Sequence, residues 1–465
     1  MIHAAMDCGE TDDGENRCGP AVWIDCTLTV EGRFRTGVQR VVRMICREAL
    51  AAADRAPNAP KWRPVVSRSG IFHHAAMDGR DEMTLRPSGV PPHWGDDITA
   101  NLPRAYRRLA GAVCDARPNT KLRQWLLPLP GHGGVYKPLI KFSRKRLRFP
   151  PPPAAPLRRG DVLLLPDAYW SARTDWEAIE GAKSAGVSLI FVLYDLIPHL
   201  HASWYDADGV ASFRGYLKKV LALADGVVCI SRTVASQLQD YAASEGEIAG
   251  RLPPVTDFPL GADIAGGGGT AAVRRQLREL FGPNVRRTPY LMVGSVEVRK
   301  NHDYALEALR RLWPECPQAQ LLVVGRTGHG GRGAAERIMA DPRFGDRLFL
   351  LQDVTDAELA YCYASARGVL FPSKAEGFGL PIVEALHCGR RVFASDLPIH
   401  REVGGSDIEY CELSDPNSLA AALLGWERRW GDNRPAPGPP RSLVSWPQSY
   451  EALRERVESF GLVSR

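Results

Sequence analysis

No run of about 20 apolar residues occurs anywhere in this 465-residue chain, so no transmembrane helix is expected. The opening stretch, MIHAAMDCGETDDGENRCG, has neither a basic n-region nor an apolar h-region, and no signal peptide is expected. The ten cysteines never stand as CxxC, which argues against a disulfide framework or a zinc site. They read as reduced cytosolic thiols. The eleven histidines contain no HxxxH pair, and FHHAA at 72–76 reads as surface. No large excess of either charge exists: the net charge is +6 and the pI about 8.8. No recognised nucleic-acid module is visible, so nucleic acid is not an expected partner.

What remains is an ordinary soluble composition, 45% apolar and 24% charged, long enough for two or three domains. Residues 1–20 read as a loose tail. AVWIDCTLT (21–29), DVLLLPD (161–167), SLIFVLYD (188–195) and GVVCIS (226–231) read as strands with helical segments between them. GRFRTGVQRVVRMICREAL (32–50) is a glycine-containing loop running into an amphipathic helix. Residues 51–160 are rich in Pro and Arg, match no nameable pattern and read as an irregular basic insertion, with helical pieces near 103–114. LGADIAGGGGT (260–270) reads as linker, because no GK[ST] follows its glycines. Alternation then restarts with strands at YLMVGS (290–295), AQLLVVGR (319–326) and RLFLLQ (347–352), and helices at 301–313 and DAELAYCYASA. The expected organisation is α/β: a first Rossmann-like domain over 21–262, a linker over 263–285 and a second over 286–444. A terminal amphipathic helix over 445–465 is expected to pack back toward the first domain.

The most informative stretch is SKAEGFGLPIVEALHCG, 373–389. GVLFP before it reads as a buried strand, PIVEALHC as a helix and RVFAS as a second strand. Pro381 suits the first helical position and Gly389 the stop. The loop feeds a helix N-terminus, which favours an anion. Gly377 and Gly379 let backbone approach a ligand closely. Glu376 and Glu384 on either side could accept hydrogen bonds from sugar hydroxyls. Glu384 by itself would serve equally as a complement to the helix dipole, worth about 0.3–1 kcal/mol.

These residues resemble retaining glycosyltransferases of family 4, which have the GT-B fold of two facing Rossmann-like domains with a cleft between them. The resemblance runs through most of 21–463 and is strongest over 286–405. EGFGLPIVE (376–384) is its most specific piece, followed by VGSVEVRKNHDYALEAL (293–309), similar to the family's donor-diphosphate loop. DGVVCIS, YDLIP (194–198) and RTGVQRVV (35–42) resemble counterparts in the first domain. The resemblance implies that Glu376 binds donor-sugar hydroxyls, with the amides of Phe378, Gly379 and Leu380 beside it. It implies Glu384 on the ribose, Arg299 and Lys300 on the diphosphate within the loop that begins at Gly294, Gly37 approaching from the other domain, and the stretch around Val354 on the base. Two positions depart from the family: Tyr194 stands where it often has His, and Arg391 where it usually has Pro.

Transfer from a nucleotide sugar puts positive charge on the sugar and negative charge on the leaving diphosphate. Arg299, Lys300 and the helix beginning near Pro381 suit the latter. A glycosidase pair needs carboxyls roughly 5–9.5 Å apart across a glycosidic bond and a general acid. A phosphate leaving group needs no acid, so Glu376 and Glu384 read as binders. Asp195 could orient the acceptor or simply cap its strand. No metal or other cofactor is expected. DADG (206–209) has no companion ligands, and GHGGRG (328–333) reads as a flexible loop.

YKPLIKFSRKRLRF (136–149) carries six Lys/Arg among apolar residues and suits peripheral contact with an anionic membrane. The resulting expectation is a cytoplasmic hexosyltransferase on the inner face of the membrane. It would move mannose, from GDP-mannose or a related donor, to a glycan or lipid-linked acceptor in polysaccharide or lipopolysaccharide synthesis. A sugar-nucleotide epimerase or hydrolase, or an idle binding subunit, are the alternatives.

Overall fold

The computed structural model describes residues 20–31, 37–55, 62–78, 81–87, 154–244, 252–264, 273–281, 288–430 and 443–462. The acidic tail, the glycines at 266–269, the helical pieces near 103–114 and the basic segment 136–149 lie outside them.

The first domain is built on an eight-stranded sheet. Its strands are β1 (Val22–Asp25), β2 (Trp62–Arg68), β3 (Ile71–Asp78), β4 (Asp81–Pro87), β5 (Val162–Leu165), β6 (Ser188–Leu193), β7 (Gly226–Cys229) and β8 (Val255–Asp257). Spatial order is β4-β3-β2-β1-β5-β6-β7-β8. The β2–β3 and β3–β4 pairs are antiparallel, and every other pair is parallel. The central strands are apolar runs buried on both faces, as helix-covered parallel strands must be.

Three sequence expectations change here. The strand expected over 21–29 stops at Asp25, and Thr27–Glu31 is a short helix. Asp25 causes the break: its carboxylate accepts from the Thr27 amide at 3.0 Å and from the Thr27 hydroxyl, turning the chain. Part of the expected irregular insertion is an orderly meander, β2 to β4. Pro64 inside β2 hid it, and the Ser69-Gly70 turn, with φ of 52° and 81°, is the two-residue hairpin signal that marks it. His73, expected at the surface, is buried on β3.

The second domain is a six-stranded parallel sheet of β9 (Tyr290–Val293), β10 (Leu321–Val324), β11 (Leu348–Leu351), β12 (Val369–Phe371), β13 (Val392–Ser395) and β14 (Glu409–Cys411). Its order, β11-β10-β9-β12-β13-β14, is the 3-2-1-4-5-6 order of doubly wound dinucleotide-binding sheets. A buried ion pair braces it: Arg367 holds both oxygens of Glu427, which also accepts from the Tyr290 hydroxyl at 2.6 Å. Removing one partner of such a pair typically costs about 3–5 kcal/mol. Residues 273–281, expected in the linker, belong to this domain. Val273, Leu277 and Phe281 pack in its core, and Arg274 grips Glu358 with two bonds of 2.7 Å.

The helix Trp446–Ser459 returns to the first domain. Trp446, Tyr450, Leu453 and Val457 pack in the same core as Val22, Ile24 and Trp62. Ala262 donates to Val444 at 2.9 Å where the two crossings between domains run side by side. No helix among the described residues is long and apolar enough to cross a membrane.

At the point where strand order reverses in the first sheet, Asp25 and Asp167 lie buried together. Tyr169 donates to Asp25 at 3.0 Å, and the Thr29 and Ala168 amides donate to Asp167 at 2.6 and 2.9 Å. Burial, with the Asp167 charge adding to it, pushes the Asp25 carboxyl up to about 7. The folded state therefore holds this proton more tightly than the unfolded chain. Its contribution is fullest below the unfolded value near 3.8 and is lost as pH rises toward about 7. Thermal unfolding should show stability falling over that window, by up to about 1.4 kcal/mol per pH unit, and Asp25→Asn should flatten the slope. An unchanged slope in the variant would refute the assignment.

Candidate active site

In open α/β sheets ligands bind beyond the carboxyl ends of the strands where the order reverses. In the second domain that point lies between β9 and β12. Two loops leave it: Gly294 to Asn301 after β9, and Pro372 to Gly379 after β12. A backbone bond of 2.7 Å from the Lys374 amide to the Arg299 carbonyl ties them together.

A short 3-10 turn, Val298–Lys300, presents both cations. Arg299 Nη1 donates to Glu376 Oε2 at 2.7 Å and its Nε to Glu297 at 2.9 Å. Lys300 Nζ donates to Glu376 Oε1 at 2.6 Å and stands 4.8 Å from the centre of the Phe371 ring. Its stem folds over Gly294. Burial alone would raise the Glu376 carboxyl, but Arg299 and Lys300 outweigh it and hold it down at about 2. Burial also opposes the Arg299 charge, and Glu376, Glu297 and Asp195 together more than reverse that. Burial pushes Lys300 down, with Glu376 working against it. Glu376 is thus a desolvated carboxylate held ionised between Arg299 and Lys300, and a poor base. Arg299 uses two of its five donors on carboxylates and Lys300 one of three, leaving three and two for other acceptors.

Gly379, with φ of 100°, is the N-cap of the helix Leu380–His387, and Pro381 takes its second position. The left-handed φ is a conformation that L side chains rarely adopt, so glycine is the economical residue there. Glu384 lies on the buried side of this helix with Ile382 and Ala385. It accepts from Arg40 of the first domain, 344 residues away in the chain. The Tyr363 phenol is buried beside it, raised by burial and then by the Glu384 charge. Val354 sits in the loop after β11, two strands from β9, and is half-buried. Gly37 opens the helix Gly37–Arg55, and a side chain there would meet open space.

The first domain is pressed onto this loop. A Cβ at Gly377 would lie 1.9 Å from the Tyr194 carbonyl oxygen and 3.2 Å from Asp195 Cβ, so no larger residue fits. Ser231 donates to the Gly377 carbonyl at 2.8 Å. Glu402 accepts from the Arg232 and Thr233 amides at 2.9 Å each, capping a helix of the opposite domain. Phe378 and Val383 are buried in the first domain's core cluster, with Leu380 packed against it. Asp195, half-buried, accepts from the Ile197 amide at 3.0 Å; burial raises its carboxyl and Arg299 opposes that. Tyr194 turns away from the cleft, its hydroxyl donating to Pro166 at 2.6 Å. Arg391 pairs with Glu409 over the Trp426 ring, outside the site.

The structure therefore brings Glu376, Arg299, Lys300, Gly377 and Asp195 together, puts Glu384 and Arg40 in one buried pair, and leaves Val354 further along the sheet. Sequence reasoning missed Arg40, Glu297, Ser231 and Glu402. Arg40 left one signal: a cation near the first turn of a helix that has no acid there opposes the dipole. Also missed was a bridge across the cleft, where Tyr205 stacks on His329 at 5.5 Å. The expected flexible loop at 328–333 supplies that histidine.

Residues 273–433 match the family described as glycosyl transferases group 1. The serotype-specific mannosyltransferase WbdA of Escherichia coli is 28% identical over 281 residues, 60% of this chain and 34% of that relative. The chain thus spans about a third of the length of that relative. The phosphatidyl-myo-inositol mannosyltransferase of Mycobacterium tuberculosis is 24% identical, covering 73% of this chain and 82% of that one. Sucrose-phosphate synthase from Thermosynechococcus elongatus superposes with a TM-score of 0.51 at 17% identity, covering 95% and 94% of the two chains. Anabaena HepE, solved with UDP and glucose, superposes at 0.50 and 12% identity, covering 95% and 97%. The match to that family is confined to the second domain, and the two facing domains form the GT-B fold.

Gly377→Ala tests the contact between them. The clash falls between Tyr194 and Phe378, both in the first domain's core cluster, so the added methyl must push the two domains apart and should lower the thermal midpoint by several degrees. An unaltered midpoint would show that the two domains do not meet there in solution.

Proposed function

We propose that the protein is a retaining glycosyltransferase of family 4 that moves a hexose from a nucleotide-diphosphate sugar to a glycan or lipid-linked acceptor in polysaccharide synthesis. Mannose from GDP-mannose is the favoured donor, on the likeness to mannosyltransferases. The observation that carries the reading is the desolvated Glu376–Arg299–Lys300 triad at the strand-order reversal of a dinucleotide-type sheet. Two cations with donors to spare, beside a helix N-terminus, suit a diphosphate. Carboxylates at Glu376 and Glu384 suit sugar hydroxyls.

In the proposed reaction the bond between the anomeric carbon and the diphosphate oxygen breaks, and both electrons leave with the diphosphate. Arg299 and Lys300 neutralise that charge as it grows. The acceptor oxygen attacks from the same face, and its proton passes to the leaving phosphate. Glu376, held ionised by two cations, is a poor base; it orients the sugar and keeps the cations in place. Asp195, at the opposite wall, is the group available to orient the acceptor. This chemistry calls for no metal or other cofactor, since side chains carry the leaving charge.

Release of nucleoside diphosphate from a panel of donors, with and without acceptor, tests the reading. Acceptor-dependent release is expected, and release that ignores acceptors would favour a hydrolase. Lys300→Ala should lower turnover by about 100- to 1,000-fold, the loss seen for one preorganised transition-state donor. Normal turnover in a folded Lys300→Ala protein would remove the role. Peripheral membrane contact through 136–149 is part of the same proposal, given its six Lys/Arg. Cosedimentation with anionic vesicles should disappear when those charges are reversed; persistence would eliminate that segment as the contact.

A further inference from the structure

Arg40 and Glu384 form an ion pair that joins the opposite domains across the cleft. The Glu384 side chain is 3% exposed and that of Arg40 18%. A carboxylate this dry needs a compensating donor, since an isolated buried charge is strongly unfavourable. The donor present is a guanidinium that reaches across from the start of the helix Gly37–Arg55. It reaches there against its own helix dipole, so the pairing is what justifies its position. The surroundings favour it further: the Asp356 charge, at the start of the neighbouring helix Asp356–Ser365, supports the Arg40 cation.

We propose that Arg40 and the ribose hydroxyls of the nucleotide are alternative partners of Glu384, so that Arg40 sets how strongly donor binding depends on the ribose. This rests on the nucleotide-sugar reading given above. Two vicinal hydroxyls can replace a guanidinium as donors to one carboxylate, but a carboxylate already held by a cation accepts from them less readily. A nucleotide whose ribose hydroxyls engage Glu384 must displace Arg40, whereas one without those hydroxyls leaves the pair in place. Displacement also releases one of the ties between the domains, alongside Ser231–Gly377 and Glu402–Thr233, and so couples occupancy of the nucleotide site to loosening of the cleft.

Calorimetry on the full chain separates this from the obvious rival, in which Arg40 binds phosphate directly. GDP, UDP, their 2′,3′-dideoxy analogues and inorganic pyrophosphate would be titrated into wild type, Arg40→Ala and Arg40→Lys. Arg40→Ala should bind whichever of GDP or UDP the wild type accepts about tenfold more tightly, a change of about 1.4 kcal/mol. Affinity for the dideoxy analogue and for pyrophosphate should stay unchanged, and Arg40→Lys should remain close to wild type. Arg40→Met keeps the apolar stem and replaces Arg40→Ala if the latter lowers the thermal midpoint. Loss of affinity for all ligands alike, or no change for any, overturns the assignment of Arg40 while leaving the glycosyltransferase reading intact. Failure of wild type to bind either nucleotide overturns both.

Discussion

The interaction on which the site depends is a carboxylate held between two cations out of water. Glu376, Arg299 and Lys300 come from two loops that the chain order alone would keep 76 residues apart. The reversal of strand order between β9 and β12 brings those loops side by side, because both leave the same end of adjacent strands. Once there, the three charges have no low-energy alternative to each other. Desolvating any of them singly would cost several kcal/mol, and the mutual arrangement offsets this only while the geometry is kept. The result is a rigid, preorganised field facing the cleft, the kind of arrangement that stabilises a developing anion without reorganising during reaction.

The same loop builds the interface. Gly377 lies with its backbone against the carbonyl of Tyr194 while its neighbour Glu376 faces the cations, so the site and the domain contact share consecutive residues. Phe378 and Val383 go further and enter the first domain's core cluster. Glu402 adds a carboxylate that completes a helix end in the other domain. At the far side, the crossing at Ala262 runs beside Val444, and Trp446 hydrogen-bonds to Asp263 through both its backbone and its indole. The two halves are therefore joined at the cleft by polar bonds together with Phe378 and Val383, and behind it by a packed crossing.

Much of this was legible locally. The strands that are short apolar runs bounded by turn residues were placed within a residue or two, because burial on both faces leaves no periodicity except the run itself. Pro381 and Gly389 marked the ends of a helix to within a residue or two, and Gly389 takes the left-handed φ that only glycine adopts freely. The meander β2 to β4 was missed because Pro64 sits within a strand. The segment 273–281 was taken for linker because its apolar residues are too few to announce a core helix, although Leu277 is wholly buried.

What the chain determined by itself was the succession of elements, the stops of the helices and the kinds of side chain in the loops, since these follow from propensity and spacing over a few residues. What only the tertiary structure decided was who faces whom. Arg40 on Glu384, Glu402 on Thr233, Tyr205 on His329 and Gly377 on Tyr194 are contacts between residues some 120 to 350 positions apart. No local rule encodes them, because each exists only after two separately folded sheets bring their strand ends together. Desolvation in the shared cleft then turns ordinary surface charges into the partners that Arg299, Lys300 and Glu376 become.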